Sequence, residues 1–315
     1  YLEEPDIYSN QERSRTAIPF DFIYYVILFL RKFFVSKISY IDADKKIGGF
    51  LKKIFFRSIT FDNYITISQS MLSVFNGINF SAKRFDLQHG TIHASKESYL
   101  FEGSASINLQ ENDVHLLLSG SAYKEILIKN ERENYFKNHI HVIGSSIFDD
   151  SNFISSKLNK NVLVSLQFTH DHSKHENKQI ADILKEKINK ESTFHFYLRN
   201  HPRFNNEVDL SQFLSLPNVS LFSGDLKGTF LKFSFHLTAY STLAFESGLH
   251  AIPSCFLQIN SCKMNIFKTQ FTYPFYKYSL FDLYNNYSLC SLTTKQWAQQ
   301  FYQPFCEETF LKALR

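Results

Sequence analysis

Two histidines in this sequence of 315 residues lie where they could act on a bound substrate. His89 and Gly90 closely follow the apolar run that starts at Phe85, and the His201-Pro202 pair follows the run FHFYL. An imidazole at the end of a strand has the pKa range to take a proton from a hydroxyl, and it can also donate to a phosphate. We therefore predict His89 as a general base and His201 as a phosphate ligand. A structural or surface role for either histidine is the alternative.

The segment AYSTLAFESGLHAIPS, residues 239–254, predicts a site for an anionic group. Its pattern indicates a strand that ends at Ala239 and a helix that begins at Ser241 and Thr242. The unpaired N–H groups at a helix N-terminus bind phosphate, and the two hydroxyls add donors. Glu246, one turn later, is placed to accept hydrogen bonds from a ribose diol. The alternative is that Ser241 only caps the helix and Glu246 faces solvent.

Further polar residues and several glycines also follow predicted strands. Arg199 and Arg203 flank the His201 position and add positive charge, and Gln167 follows the run VLVSL. The chain has only 10 glycines, roughly 3% against a usual level of about 7%, so each glycine is expected where the backbone needs one. We expect the backbone to approach a ligand at four residues near predicted strand ends, namely Gly90, Gly144, Ser145 and Gly224.

Two polar clusters are candidates for metal binding. Asp42 and Asp44 form a DxD pattern that could hold a divalent cation on a nucleotide diphosphate. Because two lysines follow directly, we interpret this pattern as a solvated helix start. The second cluster, residues 170–176, lies in a polar loop before a predicted helix, and we interpret its histidines as solvated. We expect no metal cofactor.

The strands and helices that position these residues are predicted from short apolar runs that alternate with segments of helical periodicity. It predicts the following elements in the first half: helices at 20–34, 47–56, 68–80 and 121–128, and strands at 85–88, 113–118 and 139–143. The second half is more regular, with strands at 162–166, 193–198, 219–222, 235–239 and 254–257, and helices at 177–190, 227–232 and 241–249. This pattern is typical of an α/β protein with a doubly wound parallel sheet. Ligands bind beyond the carboxyl ends of the strands in such sheets.

The polar stretch at residues 149–161 predicts a linker between two domains. We place the first domain at 1–155 and the second at 156–315, because single hydrophobic cores usually stop growing before this length. The last predicted helix, 294–314, is expected to pack back on the first domain.

Composition excludes several classes of protein. Hydrophobic residues at 44% and charged residues at 20% exclude a disordered chain, and a net charge of +4 is too small to indicate nucleic-acid binding. A reducing cytoplasm is expected because no disulfide or zinc pattern relates the four cysteines, which are Cys255, Cys262, Cys290 and Cys306.

The apolar run at 20–30 is shorter than the roughly 20 residues that span a bilayer. We interpret it as a buried helix, with peripheral contact to the inner membrane as the alternative, since Arg31 and Lys32 follow it.

Five short motifs in a fixed order carry a resemblance to a known family. They are QHG at 88–90, YFKNHIHVIGSSIFD at 135–149, VLVSLQ at 162–167, YLRNHPR at 197–203 and AYSTLAFESGLHAIP at 239–253. Together they resemble bacterial surface-polysaccharide glycosyltransferases of the GT-B fold, most of all the group with Kdo transferases and polysialyltransferase-like enzymes. They are also similar to CDP-glycerol glycerophosphotransferases. The resemblance implies two Rossmann-like domains that face a central cleft.

The resemblance also implies a reaction and a set of roles. The donor would be a nucleotide-sugar, with CMP-linked sugars favoured, and the acceptor a lipopolysaccharide or capsule glycan, free or lipid-linked. His201, Ser241 and Thr242 would bind the donor phosphate, and Glu246 would lie near the ribose. His89 would be the base or a phosphate ligand. An aspartate of the first domain would supply the carboxylate that the reaction needs, and the candidates are Asp42, Asp44, Asp62 and Asp86. Of these we predict Asp44 and Asp86 as catalytic residues.

Two alternatives to glycosyl transfer stay open. A phosphotransferase that uses CDP-glycerol or a related CDP-polyol would have the same fold and nearly the same phosphate contacts. A protein that kept the GT-B shape as an assembly scaffold would bind no nucleotide.

Overall fold

The computed structural model describes residues 2–3, 18–19, 21–35, 38–58, 60–67, 69–146, 158–226, 229–259 and 265–315. Most of the predicted linker, the predicted boundary between residues 155 and 156, and Cys262 lie outside the described residues.

The first part of the chain forms a parallel sheet with helices around it. Its elements are β1 (Leu2–Glu3), β2 (Ile18–Pro19), α1 (Asp21–Phe34), α2 (Tyr40–Ile54), β3 (Asn63–Thr66), α3 (Leu72–Ile78), β4 (Lys83–Leu87), β5 (Leu100–Phe101), β6 (Ser104–Ala105), α4 (Ile107–Glu111), β7 (Val114–Leu118), α5 (Ser121–Asn130), α6 (Tyr135–Asn138) and β8 (Ile140–Val142). Strands β3, β4, β7 and β8 pair in parallel in that order. Strands β1 and β2 form a separate parallel pair, and β5 and β6 an antiparallel one.

The second part of the chain forms a five-stranded parallel sheet. Its elements are β9 (Asn161–Ser165), α7 (Lys174–Lys190), β10 (His195–Arg199), α8 (Ser211–Leu214), β11 (Val219–Leu221), β12 (Phe235–Thr238), α9 (Leu243–Leu249), β13 (Ser254–Phe256), α10 (Ile266–Thr269), α11 (Leu280–Asn285), α12 (Tyr287–Phe301) and α13 (Glu307–Leu314). The strand order is β11-β10-β9-β12-β13. The chain therefore winds outward from β9 to β11 and returns on the other side of β9. Such a reversal creates a crevice at the carboxyl ends of β9 and β12.

The strands and the longer helices predicted between residues 162 and 257 agree with the structure to within a few residues. Other predictions differ from it, and helix α2 begins seven residues before its predicted start at residue 47. The predicted helix at 294–314 is two helices, α12 and α13, because Pro304 lies between them and cannot continue a helix. Strand β3 was not predicted, because it has only four residues, and the polar Asn63 and Thr66 leave no apolar run longer than two residues.

Helix α1 is wrongly predicted as a buried helix. Ile27 is fully buried, but the aromatic side chains along one face are exposed: Phe22, Tyr25, Phe29 and Phe33. Arg31 ties the helix to α2 through two hydrogen bonds to the buried Asp44 carboxylate, of 2.8 and 2.7 Å. Among the described residues, no helix is long and apolar enough to cross a membrane.

The C-terminal helices connect the two sheets. In α12, the Trp297 ring stacks on Phe245 of α9 with ring centroids 4.8 Å apart. The Phe301 ring meets Tyr123 of α5, on the first sheet's side, at 5.1 Å. After α12 the chain runs across the carboxyl ends of β7 and β8, where Gln303 N–H donates to the Ser119 carbonyl (2.8 Å) and Ser145 N–H to the Gln303 carbonyl (2.9 Å). The last residues therefore pack back on the first sheet.

Helices α2 and α3 cross at unusually close range. A Cβ added to Gly48 would lie 2.1 Å from the Val74 carbonyl oxygen, whereas a Cβ added to the next residue, Gly49, would meet nothing within 4 Å. The crossing of the two helices therefore requires glycine at position 48 and not at position 49.

The two glycines provide a matched test of this packing. We expect Gly48→Ala to lower the free energy of unfolding by at least about 2 kcal/mol, since backbone atoms must move apart. Gly49→Ala should raise it by about 0.5–1 kcal/mol, because alanine is the better helix former. Thermal and urea unfolding of both variants would measure the difference. Equal stability of the two variants would contradict the close crossing.

Candidate functional site

A cavity of about 350 Å³ opens at the carboxyl ends of the second sheet, where the strand order reverses. Its walls come from both parts of the chain: Thr91, His93, Gln167, Thr169, Asp171, His201, Arg203, Tyr240, Ser241, Thr242, Ile266, Phe267 and Phe271. Five of the residues predicted to bind a nucleotide therefore lie on one cavity, namely Gln167, His201, Arg203, Ser241 and Thr242.

Gln167 shapes the floor of the cavity. The residue is buried just beyond β9, and its Oε1 accepts from the Tyr240 backbone N–H at 2.8 Å. The next residue, Ser241, donates its N–H to Thr238 Oγ1 at 3.0 Å, and its own Oγ accepts from Leu243 N–H at 3.2 Å. These hydrogen bonds hold the turn after β12 in place. Because Thr242 is the N-cap and α9 begins at Leu243, helix α9 starts two residues after the predicted position.

His201 is held in its neutral form on the cavity wall. The Arg203 backbone N–H donates to His201 Nδ1 at 3.1 Å, so Nδ1 is an acceptor and the ring proton is on Nε2. Burial lowers the pKa of His201, Arg203 and Arg199 lower it further, and Asp171 opposes them. The ring can therefore donate from Nε2 to an anion.

Arg203 is fixed by an ion pair. Its two terminal nitrogens donate to the two carboxylate oxygens of Asp171, at 3.1 and 2.6 Å. The Arg203 side chain keeps 67% of its surface exposed. A guanidinium has five N–H donors, so three remain for a ligand after this pairing.

The loop at residues 170–176 is more ordered than the sequence suggested. His172 is 5% exposed, and its Nε2 shares a hydrogen bond with the Tyr240 hydroxyl. Its Nδ1 lies 3.3 Å from Asn177 Oδ1. The interpretation of all histidines in this loop as solvated is therefore wrong for His172, because Tyr240 and α7 cover its ring.

The first part of the chain contributes His93 to the cavity, not His89. His93 is half-buried, with Nδ1 3.0 Å from Ser95 Oγ, and burial together with Lys96 lowers its pKa. The loop is attached to the second part of the chain by a hydrogen bond of 2.5 Å from Ala94 N–H to Gln270 Oε1. His89 is exposed and is not among the residues that line the cavity.

Asp86 is the penultimate residue of β4, just before this loop. It is 1% exposed and accepts from Gln69 Nε2 at 2.7 Å. Burial raises the pKa of this carboxyl, and hydrogen bonds from Gln69 and Tyr99 and the nearby His89 and Lys96 oppose the rise. Asp86 therefore supports the loop from below and is not on the cavity surface.

Two residues predicted near the nucleotide are not among the residues that line the cavity. Arg199 is the last residue of β10, and Glu246 is exposed on α9. Partial burial raises the pKa of Glu246, and the positive charge of Arg199 opposes the rise. The two side chains are therefore close enough for their charges to interact.

The remaining predicted residues have other surroundings. Asp44 is fully buried and both carboxylate oxygens accept from Arg31, so it stabilises the α1–α2 contact. Gly144 has φ +81°, and an added Cβ would lie 2.0 Å from the Pro304 carbonyl oxygen. Ser145 pairs with Pro304 as an isolated bridge. These two residues therefore contact the protein's own C-terminal segment, where we expected a ligand.

Two further glycines were expected to lie near a ligand. A Cβ added to Gly90 would meet nothing within 4 Å, so no close approach of backbone requires glycine there. Gly224 is exposed after the edge strand β11 and is not among the residues that line the cavity.

The cavity combines an anion-binding side with a proton acceptor. His201, Arg203 and the hydroxyls of Ser241 and Thr242 provide donors on the second sheet's side. His93, neutral because of its lowered pKa, faces them from the first sheet's side. Such an arrangement can hold a phosphorylated group and take a proton from a hydroxyl bound next to it.

No protein-family model and no curated protein matches this chain. The structure is similar to that of a UDP-GlcNAc 2-epimerase from Neisseria meningitidis bound to UDP-GlcNAc, with 13% identity, 86% of this chain and 82% of that chain covered, and a TM-score of 0.50. It is also similar to an S. aureus MnaA–UDP structure, with 12% identity, 85% of this chain and 78% of that chain covered, and a TM-score of 0.48. A third similar structure is that of a variant of the wall teichoic acid polymerase TagF, with 17% identity, 80% of this chain and 70% of that chain covered, and a TM-score of 0.42. The first similarity establishes the fold alone, and it confirms the α/β GT-B prediction.

The surroundings of His201 predict how its ring titrates. We expect Arg203→Ala to raise the pKa of His201, because one of the positive charges that lower it is lost and Asp171 is no longer neutralised. The ring carbon–proton signals of His201, followed by NMR across the acid range, would report the change.

A matched control is Arg132→Ala, which removes an exposed arginine elsewhere. It should leave the His201 titration unchanged. If Arg203→Ala lowered the pKa of His201, the assigned charge environment would be wrong.

Proposed function

We propose that this chain is a glycosyltransferase of the GT-B fold that moves a sugar from a nucleotide-activated donor to a hydroxyl of a bacterial surface glycan. The observation that carries the proposal is the cavity at the strand reversal, where phosphate-binding groups of the second sheet face the His93 loop of the first. The motif resemblance at residues 88–253 supports a surface polysaccharide as the acceptor class.

The donor phosphate is bound by the second sheet's side of the cavity. Arg203 presents its free N–H groups, and its orientation is set by Asp171. His201 donates from Nε2, and Ser241 and Thr242 add hydroxyls. These donors stabilise the negative charge that grows on the leaving phosphate as the bond from the anomeric carbon breaks.

The acceptor hydroxyl loses its proton to a histidine of the first sheet's side. His93 lies on the cavity wall and is neutral, so it can accept that proton as the oxygen attacks the anomeric carbon. His89, the base predicted from the sequence, is exposed outside the cavity lining. We therefore propose His93 as the base. Asp86, buried under the same loop, is proposed as a positioning residue.

Binding of nucleotides tests the donor side. We expect the chain to bind CMP, as the motif resemblance implies, and UDP is included because the similar N. meningitidis structure holds UDP-GlcNAc. Arg203→Ala should weaken binding of the preferred nucleotide by about tenfold or more, as a hydrogen bond to a charged group is worth roughly 1.5–3 kcal/mol. Isothermal titration with CMP, CDP, UDP and GDP would measure both effects.

Arg132→Ala is again the control, and it should bind as the unchanged protein does. Absence of binding to all four nucleotides would favour the scaffold alternative. With the preferred nucleotide-sugar, product analysis then separates the reactions. A new glycosidic bond supports the proposal, a phosphodiester supports CDP-polyol transfer, and an isomerised nucleotide-sugar shows an epimerase.

We further propose that the first domain contacts an anionic membrane surface through α1 and the end of α2. The exposed fractions of the α1 aromatics are high: Phe22 70%, Tyr25 61%, Phe29 59% and Phe33 57%. Their spacing places them on one helical face. Phe22 meets Phe55 after α2 with ring centroids 6.4 Å apart, which joins the two apolar surfaces.

Exposed basic side chains accompany this aromatic face. They are Lys32, Lys46, Lys53 and Arg57, against the exposed acidic residues Asp42 and Asp62 in the same part of the chain. An aromatic face beside an excess of positive charge fits the interface of a bilayer with anionic headgroups. A lipid-linked acceptor would be presented at such a surface.

Vesicle sedimentation tests the membrane contact. The chain should bind vesicles that contain phosphatidylglycerol, and Phe22→Ser with Phe29→Ser should weaken binding by at least about tenfold, given about 1.5–3 kcal/mol for each buried phenyl group. Phe101→Ser, which changes an exposed phenylalanine on β5, is the matched control. Equal binding by the double variant and the control would rule out this face.

A further inference from the structure

Two neighbouring strands of the first sheet begin with residues of metal-binding type at alternate positions. The sequences are Asp113-Val114-His115 at the start of β7 and His139-Ile140-His141 at the start of β8. His115 and His141 lie within the strands, and Asp113 and His139 directly precede them. Neither pair takes part in the cavity described above.

The register of the two strands brings the pairs together. Leu116 is opposite Ile140 and Leu117 is opposite His141 in the parallel ladder, so His115 comes next to His139. One ligand atom each from Asp113, His115 and His139 lie within 4.8 Å of one another. His141 adjoins this group, with its Nε2 3.1 Å from His115 Nδ1.

His139 is already oriented as a metal ligand. Its Nδ1 lies 2.8 Å from the Tyr135 carbonyl, which can only accept, so Nδ1 donates its proton there and Nε2 is the nitrogen that would bind a metal. The Tyr135 ring stacks on the imidazole with centroids 4.0 Å apart. Its Nε2 lies 2.9 Å from the Asp113 carboxylate. A backbone carbonyl on the second ring nitrogen is the usual outer support of a zinc-bound histidine.

We propose that Asp113, His115 and His139 bind a zinc ion, with His141 as a fourth candidate ligand. Imidazole nitrogen and carboxylate oxygen are donors that zinc accepts in tetrahedral sites. The charges of Lys83 and Lys124, which lie near His141, oppose a cation there, and the Asp113 carboxylate offsets part of this repulsion. The proposal goes beyond the proposed transferase reaction and does not depend on it.

The ion would fasten the edge of the first sheet. Strand β8 has three residues and pairs with β7 alone among the described strands. The residues after it, Ile143 to Ser145, bind the C-terminal segment. A zinc ion at the opposite end of β7 and β8 would therefore stabilise the pairing of β8 with β7, and with it the contact between β8 and the C-terminal segment.

Zinc titration of the full chain tests the site. After dialysis against a chelator, isothermal titration with Zn²⁺ should show one ion bound per chain. We expect His115→Ala and His139→Ala each to weaken binding by at least about tenfold. His175→Ala, which changes an exposed histidine of α7, is the control and should bind as the unchanged chain does.

A milder variant guards against loss of structure. The Asp113 side chain is 71% exposed and its φ is +49°, a backbone angle that asparagine tolerates well, so Asp113→Asn should stay folded and still lose zinc affinity. If the unchanged chain bound no zinc, or if all three variants bound it equally well, the proposal would be overturned. His139 would then only pair with Asp113 and take no part in metal binding.

Discussion

The close approach of the C-terminal segment to the first sheet is the constraint on which the cavity depends. Between α12 and α13 the backbone runs so near to Gly120 and Gly144 that an added Cβ would lie 2.3 and 2.0 Å from carbonyl oxygens of Phe301 and Pro304. Ser119 accepts from Gln303 N–H and donates its hydroxyl to the Phe301 carbonyl at 2.9 Å. This backbone contact, together with the aromatic packing of α12, sets the position of one sheet against the other.

The loops that line the cavity are each held in place by a hydrogen bond or ion pair. The turn after β12 is held by Gln167, and the Arg203 guanidinium by Asp171. The His93 loop is attached across the cavity by Gln270. The groups available to a ligand are therefore oriented before it binds, which lowers the entropic cost of binding.

Much of the fold was predictable from the sequence, because strands β9, β10, β12 and β13 carry apolar runs bounded by polar turns. The same rule placed His201, Ser241 and Thr242 on the cavity, since residues past the ends of parallel strands converge. The partners of Asp44 and Gly144 were not predictable. Asp44 binds an arginine 13 residues earlier, and Gly144 packs on Pro304, so both depend on tertiary contacts that local pattern does not encode.

The route of the chain through the molecule also orders the events of folding. Ser119 and Ser145 form hydrogen bonds with residues about 160 to 180 positions later in the sequence, so these bonds cannot form until most of the chain has left the ribosome. During synthesis, the carboxyl edge of the first sheet stays uncovered while the second sheet folds. Contacts of such long sequence separation are slow to form, so the joining of the two sheets is expected late in folding.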